Sequence, residues 1–320
     1  MSNLDLVVIH EHPEWQKPLF AALERRGLRY GVVDLKRAAF RVGERPAARL
    51  YFNQASPSAY MRGNTRAVPL CLAYMRALED QGVRVLNGSR AFALELSKTA
   101  QASLLGRLGI RTPRTLVFND LAAVRELAAT ATDFPWPALL KPEQGGSGAR
   151  MFLLETPDEL ERLLEMQPDL WQPDNLLLLQ ELVPYDRDHG ILRLELLGGE
   201  LLYAMRVVSH GRFNLCPSET CNPADGGDGA CEIPLAKPTP PVEFHPYPEV
   251  APEVVEQARL IARAGSLDVA GIECILTPEG PVFYDVNANS NLRLPIGQAF
   301  GFDPFERVVD YLERELERLP

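Results

Sequence analysis

Three side chains near the end of the chain carry the strongest chemical signal. Glu273 sits in the apolar run Gly271-Ile272-Glu273-Cys274-Ile275-Leu276, and Asp285 and Asn287 sit in Phe283-Tyr284-Asp285-Val286-Asn287. Side chains alternate across a strand, so Asp285 and Asn287 share a face, and a hairpin pairing of the two runs can bring Glu273 opposite them. Two carboxylates and an amide oxygen suit a hard cation. Magnesium keeps several waters and borrows phosphate oxygens, so a short protein ligand set of this kind points to a metal held on a nucleotide. The expectation is an ATP-using enzyme.

Cations that could meet phosphates stand earlier in the chain. Lys141 heads Lys141-Pro142-Glu143-Gln144-Gly145-Gly146-Ser147-Gly148-Ala149, a segment that joins two strands. A P-loop or a Rossmann turn opens a helix, whose N-terminus supplies the anion site. This segment reads instead as a flap, with glycines letting backbone N–H groups close on phosphate oxygens while Lys141 supplies charge. The alternative is a plain Gly-rich hairpin with an exposed lysine. Lys98 follows Ser97, a candidate helix N-cap; taken alone it reads equally as a solvated helix lysine. Gln180-Glu181-Leu182-Val183 ends an apolar strand just before Pro184. Such a hinge offers backbone groups to a flat heterocycle such as adenine, although a strand that simply stops at proline looks the same.

The elements that must position these residues follow from periodicity. Strands are expected at 4–9, 29–35, 49–53 and 83–87, with helices at 14–26 and 67–81 between them, each helix closed by a glycine. This alternation is the signature of a parallel α/β sheet. A helix over 97–108 and strands at 115–118, 138–141, 151–154 and 176–181 follow, with further helices at 121–129 and 158–166. Strands 192–197 and 201–208 form a hairpin turned at Gly198-Gly199. Residues 216–248 are rich in proline and glycine, show no period and read as one long loop. A helix over 252–267, the acidic hairpin and an amphipathic helix over 304–319 complete the chain.

Bulk properties exclude several functions. A length of 320 residues with 46% hydrophobic content supports two or three cored domains. A formal net charge of -10 argues against sequence-independent nucleic-acid binding. No apolar stretch reaches the ~20 residues of a spanning helix, and Met1-Ser2-Asn3-Leu4-Asp5 lacks a signal-peptide pattern, so the expected place is the cytoplasm, off the membrane. Five cysteines make no disulfide framework. Cys71 and Cys274 read as buried thiols; Cys216, Cys221 and Cys231 read as structural or incidental thiols, with zinc ligation the alternative, His210 and His245 being the nearby options. His10 and His12 follow the first strand, where α/β sheets bind ligands, and are weaker acceptor-site candidates.

Taken in order, a helix with Lys98, Lys141 with a Gly-rich flap, the 180–183 hinge, paired arginines, and then Glu273 with Asp285-Val286-Asn287 resemble the ATP-grasp superfamily, and within it the RimK-like glutamate ligases. The resemblance covers essentially the whole chain and is weakest over the first ~90 residues. It implies an α/β (α+β ATP-grasp) fold: a pre-ATP-grasp α/β domain at 1–96, a central lid subdomain at 97–183, and a C-terminal subdomain at 184–320 carrying the metal and acceptor sites.

It also implies roles. Lys98 and Lys141 match the lysines on the ATP phosphates, Gly145, Gly146, Ser147 and Gly148 the covering loop, and Gln180, Glu181, Leu182 and Val183 the adenine hinge. Glu273, Asp285 and Asn287 match the magnesium ligands, with Mn2+ as a substitute ion and Asp285 bridging two ions. Arg193 and Arg206 match arginines near the γ-phosphate and acyl-phosphate oxygens; Arg212 and Asn214 match the segment that follows. The implied activity is ATP-dependent ligation of a carboxylate to an amine on an amino acid or peptide, in a chain that can form a homo-oligomer. A kinase acting on a hydroxyl and a non-catalytic nucleotide-binding protein are the alternatives. The chain departs from the pattern in having Asp285 where glutamate is usual, Ile191 where an aspartate stands two residues before the matched arginine, and Ala288-Asn289-Ser290-Asn291-Leu292-Arg293 after the metal strand. Asp188 is the nearby acid that could take over the ribose contact.

Overall fold

The computed structural model describes residues 4–130, 134–146, 148, 150–211, 215 and 242–320. Its first sheet has the order β2-β1-β3-β4, built from β1 (Leu6–His10), β2 (Tyr30–Asp34), β3 (Leu50–Asn53) and β4 (Arg84–Leu86), all parallel. β1 and β3 are buried along their whole length, as central strands covered on both faces must be. Helices α1 (Pro13–Arg25) and α2 (Ala67–Glu79) connect the strands.

Helix α3 (Ser89–Leu96) was not expected, because 87–89 reads as a turn and the run that follows is short. Its start is held by a distant residue: Glu79 at the end of α2 accepts from the Ser89 backbone N–H at 2.8 Å and from its hydroxyl at 2.5 Å. Helix α4 (Lys98–Arg107) starts where Ser97 suggests, the Ser97 hydroxyl accepting from Ala100 N–H at 2.9 Å.

The second sheet, β5-β8-β6-β7, consists of β5 (Thr115–Phe118), β6 (Ala138–Pro142), β7 (Phe152–Leu154) and β8 (Leu177–Glu181), with antiparallel pairs throughout. Helices α5 (Leu121–Thr130) and α6 (Pro157–Met166) belong to this unit. The third sheet, β11-β10-β9-β12-β13, holds β9 (Ile191–Leu197), β10 (Glu200–Val208), β11 (Glu243–Pro246), β12 (Val269–Thr277) and β13 (Gly280–Asn287). Gly198 and Gly199 turn the β9–β10 hairpin with φ of 60° and 82°, a conformation that favours glycine. β11 corrects the reading of 216–248 as loop throughout: four of its residues pair with β10 as an edge strand, which takes backbone hydrogen bonds and no apolar run. Residues 216–241, with Cys216, Cys221 and Cys231, lie outside the described residues. Helices α7 (Pro252–Gly265), α8 (Leu294–Ala299) and α9 (Pro304–Arg318) complete the chain.

Hydrophobic packing divides the molecule unevenly. One cluster runs from Leu6, Val8, Leu23 and Phe52 of the first sheet unit to Tyr203, Met205, Val269 and Leu312 of the third. The second sheet has a separate core around Phe118, Leu140, Leu160 and Leu177. No described helix is long and apolar enough to cross a membrane.

Candidate functional site

The β12–β13 hairpin pairs Glu273 directly with Asp285 and Gly271 with Asn287, so alternation brings the three oxygen-bearing side chains onto one face. Glu273 Oε1 accepts from Arg193 Nη1 at 2.6 Å, and Oε2 accepts from the Tyr284 hydroxyl at 2.8 Å. Asp285 forms an ion pair with Lys98 and accepts from Asn287 Nδ2 at 3.2 Å. The same Nδ2 donates to Gly271 O at 3.1 Å, which leaves the amide oxygen of Asn287 for a cation. Burial raises the Glu273 carboxyl, with Arg193 pulling it back. Burial works on Asp285 too, but Lys98 and Lys141 prevail and hold it below the usual carboxylate range.

Among the described residues no three His, Cys, Asp or Glu side chains gather as a metal cluster. The set here is two carboxylates and an amide, all hard oxygen donors. Buried Glu273 pairs with Arg193 and half-buried Asp285 with Lys98, so the hairpin already stabilises positive charge where a divalent ion would sit. The residues fit magnesium.

Lys98 is placed by its helix. Gln101, one turn on, donates to Val286 O at 2.9 Å and accepts from Val286 N–H at 3.0 Å, so α4 docks on β13 like an extra strand partner. Glu143, two residues after Lys141, accepts from Thr99 N–H at 3.0 Å and from the Ser97 and Thr99 hydroxyls. The carboxylate thus caps the helix that carries Lys98 and ties the start of the Gly-rich loop to it.

Arg193 is 4% exposed on β9 and is held by Glu195 at 2.7 Å as well as by Glu273. Ser290 donates to Glu195 and accepts from Arg193 Nη2 at 3.3 Å. Gly271 makes room for the guanidinium: a Cβ there would lie 2.0 Å from Arg193 Nη2. Lys141 is buried, with Nζ 5.9 Å from the centre of the Tyr284 ring. Desolvation first, then the charge of Lys98, pull its ammonium down to about 8.

The Gly-rich loop reaches the first sheet's unit. Gly146 lies so close to Ser58 that a Cβ would stand 2.8 Å from the Ser58 Cβ, and Gln144 Nε2 donates to Pro57 O at 3.2 Å. Beneath it is a cleft of about 500 Å³ lined by Lys98, Lys141, Gly145, Gly146, Gly148, Arg193, Glu273, Asp285 and Asn287. Gln180, Glu181, Leu182 and Val183 also line it, with Leu139, Met151, Leu153 and Ile275. These apolar side chains suit a flat ring.

Other expected residues fall elsewhere. Arg206 pairs in register with Leu192 of β9, the neighbour of Arg193, so it faces the opposite side of the sheet and does not line the cleft. Ser147, Arg212 and Asn214 lie outside the described residues. Asp188 does not line the cleft, whereas Arg187 does. Cys71 and Cys274 are free and buried.

Gln101, Glu143 and Glu195 were missed. Glu195 had a signal, an acid two residues from Arg193 on an apolar strand. The others meet the site only through partners far along the chain.

No family model matches the chain. A probable α-L-glutamate ligase of Haemophilus influenzae is 25% identical over 255 residues, covering 79% of this chain and 74% of the relative. A RimK domain ATP-grasp protein from Sphaerobacter thermophilus superposes with a TM-score of 0.68 at 17% identity, covering 96% of this chain and 98% of that one. The ATP-grasp ligase PsnB, in a complex with minimal precursor, Mg and ADP, gives a TM-score of 0.63 at 22% identity, covering 99% of each chain. The chain carries the ATP-grasp fold and is similar in sequence to probable α-L-glutamate ligases over most of its length.

Proposed function

We propose that the protein is an ATP-dependent carboxylate–amine ligase that makes an amide bond through an acyl phosphate. One observation carries this reading: Glu273 and Asp285 face each other across a hairpin in one cleft with Lys98, Lys141 and Arg193, under a glycine flap. The similarity to ligases that share the fold supports it.

In this reading the adenine lies against 180–183 and the triphosphate runs toward Lys141 and Lys98. Glu273, Asp285 and Asn287 hold magnesium, which when bound neutralises phosphate charge; manganese is the proposed substitute. A carboxylate oxygen of the substrate attacks the γ-phosphorus and ADP leaves. The neutral amine then attacks the acyl carbon, phosphate departs, and the proton the nitrogen sheds leaves with phosphate or to solvent. Phosphoryl transfer needs positioning and charge neutralisation more than a protein nucleophile, which suits this donor set. Lys98 moves from Asp285 to a phosphate oxygen as nucleotide enters, and Arg193, fixed by Glu195, presents its guanidinium to the transferring group. The Gly145, Gly146 and Gly148 segment, closed on Ser58, keeps water from the acyl phosphate.

The substrates proposed are an amino acid or peptide carboxylate and a primary amine, in the cytoplasm where ATP is available. The test measures ADP and phosphate release with panels of carboxylates and amines. Turnover that needs both partners supports ligation; turnover with an alcohol alone establishes a kinase instead. Asp285→Ala lowers ADP release by about 10³-fold, and unchanged activity overturns the metal assignment.

A further inference from the structure

Two buried acceptor atoms in the cleft have no hydrogen-bond partner, Glu95 Oε2 and Asn289 Oδ1. Glu95 is 3% exposed and Asn289 9%, and both residues line the cleft. They are neighbours, because the Asn289 backbone N–H donates to Glu95 Oε1 at 3.1 Å. The Asn289 amide nitrogen is engaged with Gln54 O at 3.1 Å, which assigns its oxygen as the unpaired atom. A buried polar atom left unpaired costs about 1–3 kcal/mol, so each of these oxygens calls for a partner.

The cations nearby do not supply it. Lys98 is paired with Asp285, and Arg193 with Glu195 and Glu273. Burial pushes the Glu95 carboxyl up to about 8 against the pull of the Asn289 N–H and Lys98, as befits an acid with no counter-charge of its own. A ligand that brings both positive charge and N–H donors favours the ionised carboxylate, releases its proton and pairs the free oxygens together.

We infer that Glu95 Oε2 and Asn289 Oδ1 form a subsite for the primary ammonium group of a substrate. The inference deepens the ligase reading and rests on it for the identity of the substrate. Trp15 lines the same cleft, and its indole N–H is also buried without a partner. A donor lining the same cleft suits an amine that carries a carbonyl, such as an α-amino acid amide or the amino end of a peptide.

The test compares glycinamide with propionamide, which has a methyl group in place of the ammonium. Both are titrated calorimetrically into the full chain loaded with magnesium and a non-hydrolysable ATP analogue at neutral pH. Glycinamide is expected to bind about tenfold more tightly, and Glu95→Gln, of nearly the same shape, to bring the two ligands within about twofold. Asn289→Ala reduces the preference about threefold and decides the matter should E95Q fail to fold. Equal binding, no binding of glycinamide, or a preference that survives these substitutions overturns the subsite. ADP release is scored separately: active ligation without the preference refutes the subsite alone, and the preference without turnover refutes the ligase reading alone.

Discussion

The first and third sheets share a continuous hydrophobic core, whereas the second sheet encloses its own. The seam of the shared block is riveted by Asn87, which is fully buried with a φ of 48°. Its side chain donates to Val269 O at 2.9 Å and to Ala288 O, and accepts from Asp268 N–H at 2.7 Å. Asp268 also takes Arg84 and the Tyr311 hydroxyl. The second-sheet unit is attached through polar groups instead: Glu143 on the α4 N-terminus and Gln144 on Pro57. Apolar seams resist opening and polar ones exchange readily with water. The hairpin of Glu273 and Asp285 therefore sits in the shared apolar block, and Lys141 and the glycine segment in a unit joined to it by polar contacts.

The largest effect expected is at the seam. Asn87→Ala leaves buried carbonyl and N–H groups unpaired and forfeits the left-handed backbone preference, at a cost of about 3 kcal/mol in urea unfolding. A loss confined to the lid, as read by hydrogen exchange, breaks the comparison.

Gly271→Ala tests the block's interior. The added methyl collides with Arg193, so stability falls by about 2 kcal/mol and ADP release falls with it; an active variant places Arg193 outside the reaction. Gly146→Ala probes the lid in the same way. The Cβ meets Ser58 and holds the flap open, so the KM for ATP rises about tenfold while the urea midpoint stays close to that of the parent.

Lys141 sharpens the comparison by charge. Its depressed value means that the unfolded chain binds more protons between pH 8 and the ordinary lysine value of 10.5, so this group destabilises the fold below pH 8 and the penalty is relieved as pH rises through that window. Phosphates beside it restore the charge. Nucleotide binding at pH 8 to 9 is expected to take up protons, seen as a binding heat that varies with buffer ionisation, and Lys141→Met removes the uptake. The smallest effect is at the exposed cluster of Arg26 with Asp310 and Glu313 between α1 and α9. Arg26→Ala should leave the unfolding midpoint unchanged, since solvent screens such pairs; a marked drop assigns part of the seam to these charges.

Much of the site was legible in local pattern. A two-residue period placed Asp285 and Asn287 on one face, a serine cap announced the helix of Lys98, and a glycine segment between two strands ruled out a helix-opening phosphate loop. Arg206 shows the limit. The residue type suited the chemistry, but which face of the sheet it occupies depends on register with β9, and register is set by pairing across the hairpin. Helix α3 and strand β11 escaped for a related reason, one being capped by Glu79 and the other being recruited by the backbone of β10.

The sequence by itself determined the donor set: hard oxygens on a hairpin, lysines before it, a glycine-rich segment between two strands, and an order of segments that matches the ATP-grasp fold. Those features are short-range, and alternation or capping alone imposes them. Only the tertiary structure decided which charges face one another, that Glu143 joins the flap to the helix of Lys98, that Gln101 docks that helix on the metal strand, and that Glu95 meets Asn289 with an oxygen to spare. Each of those pairs is separated by tens to hundreds of residues, and packing against a shared core brings them within hydrogen-bond distance.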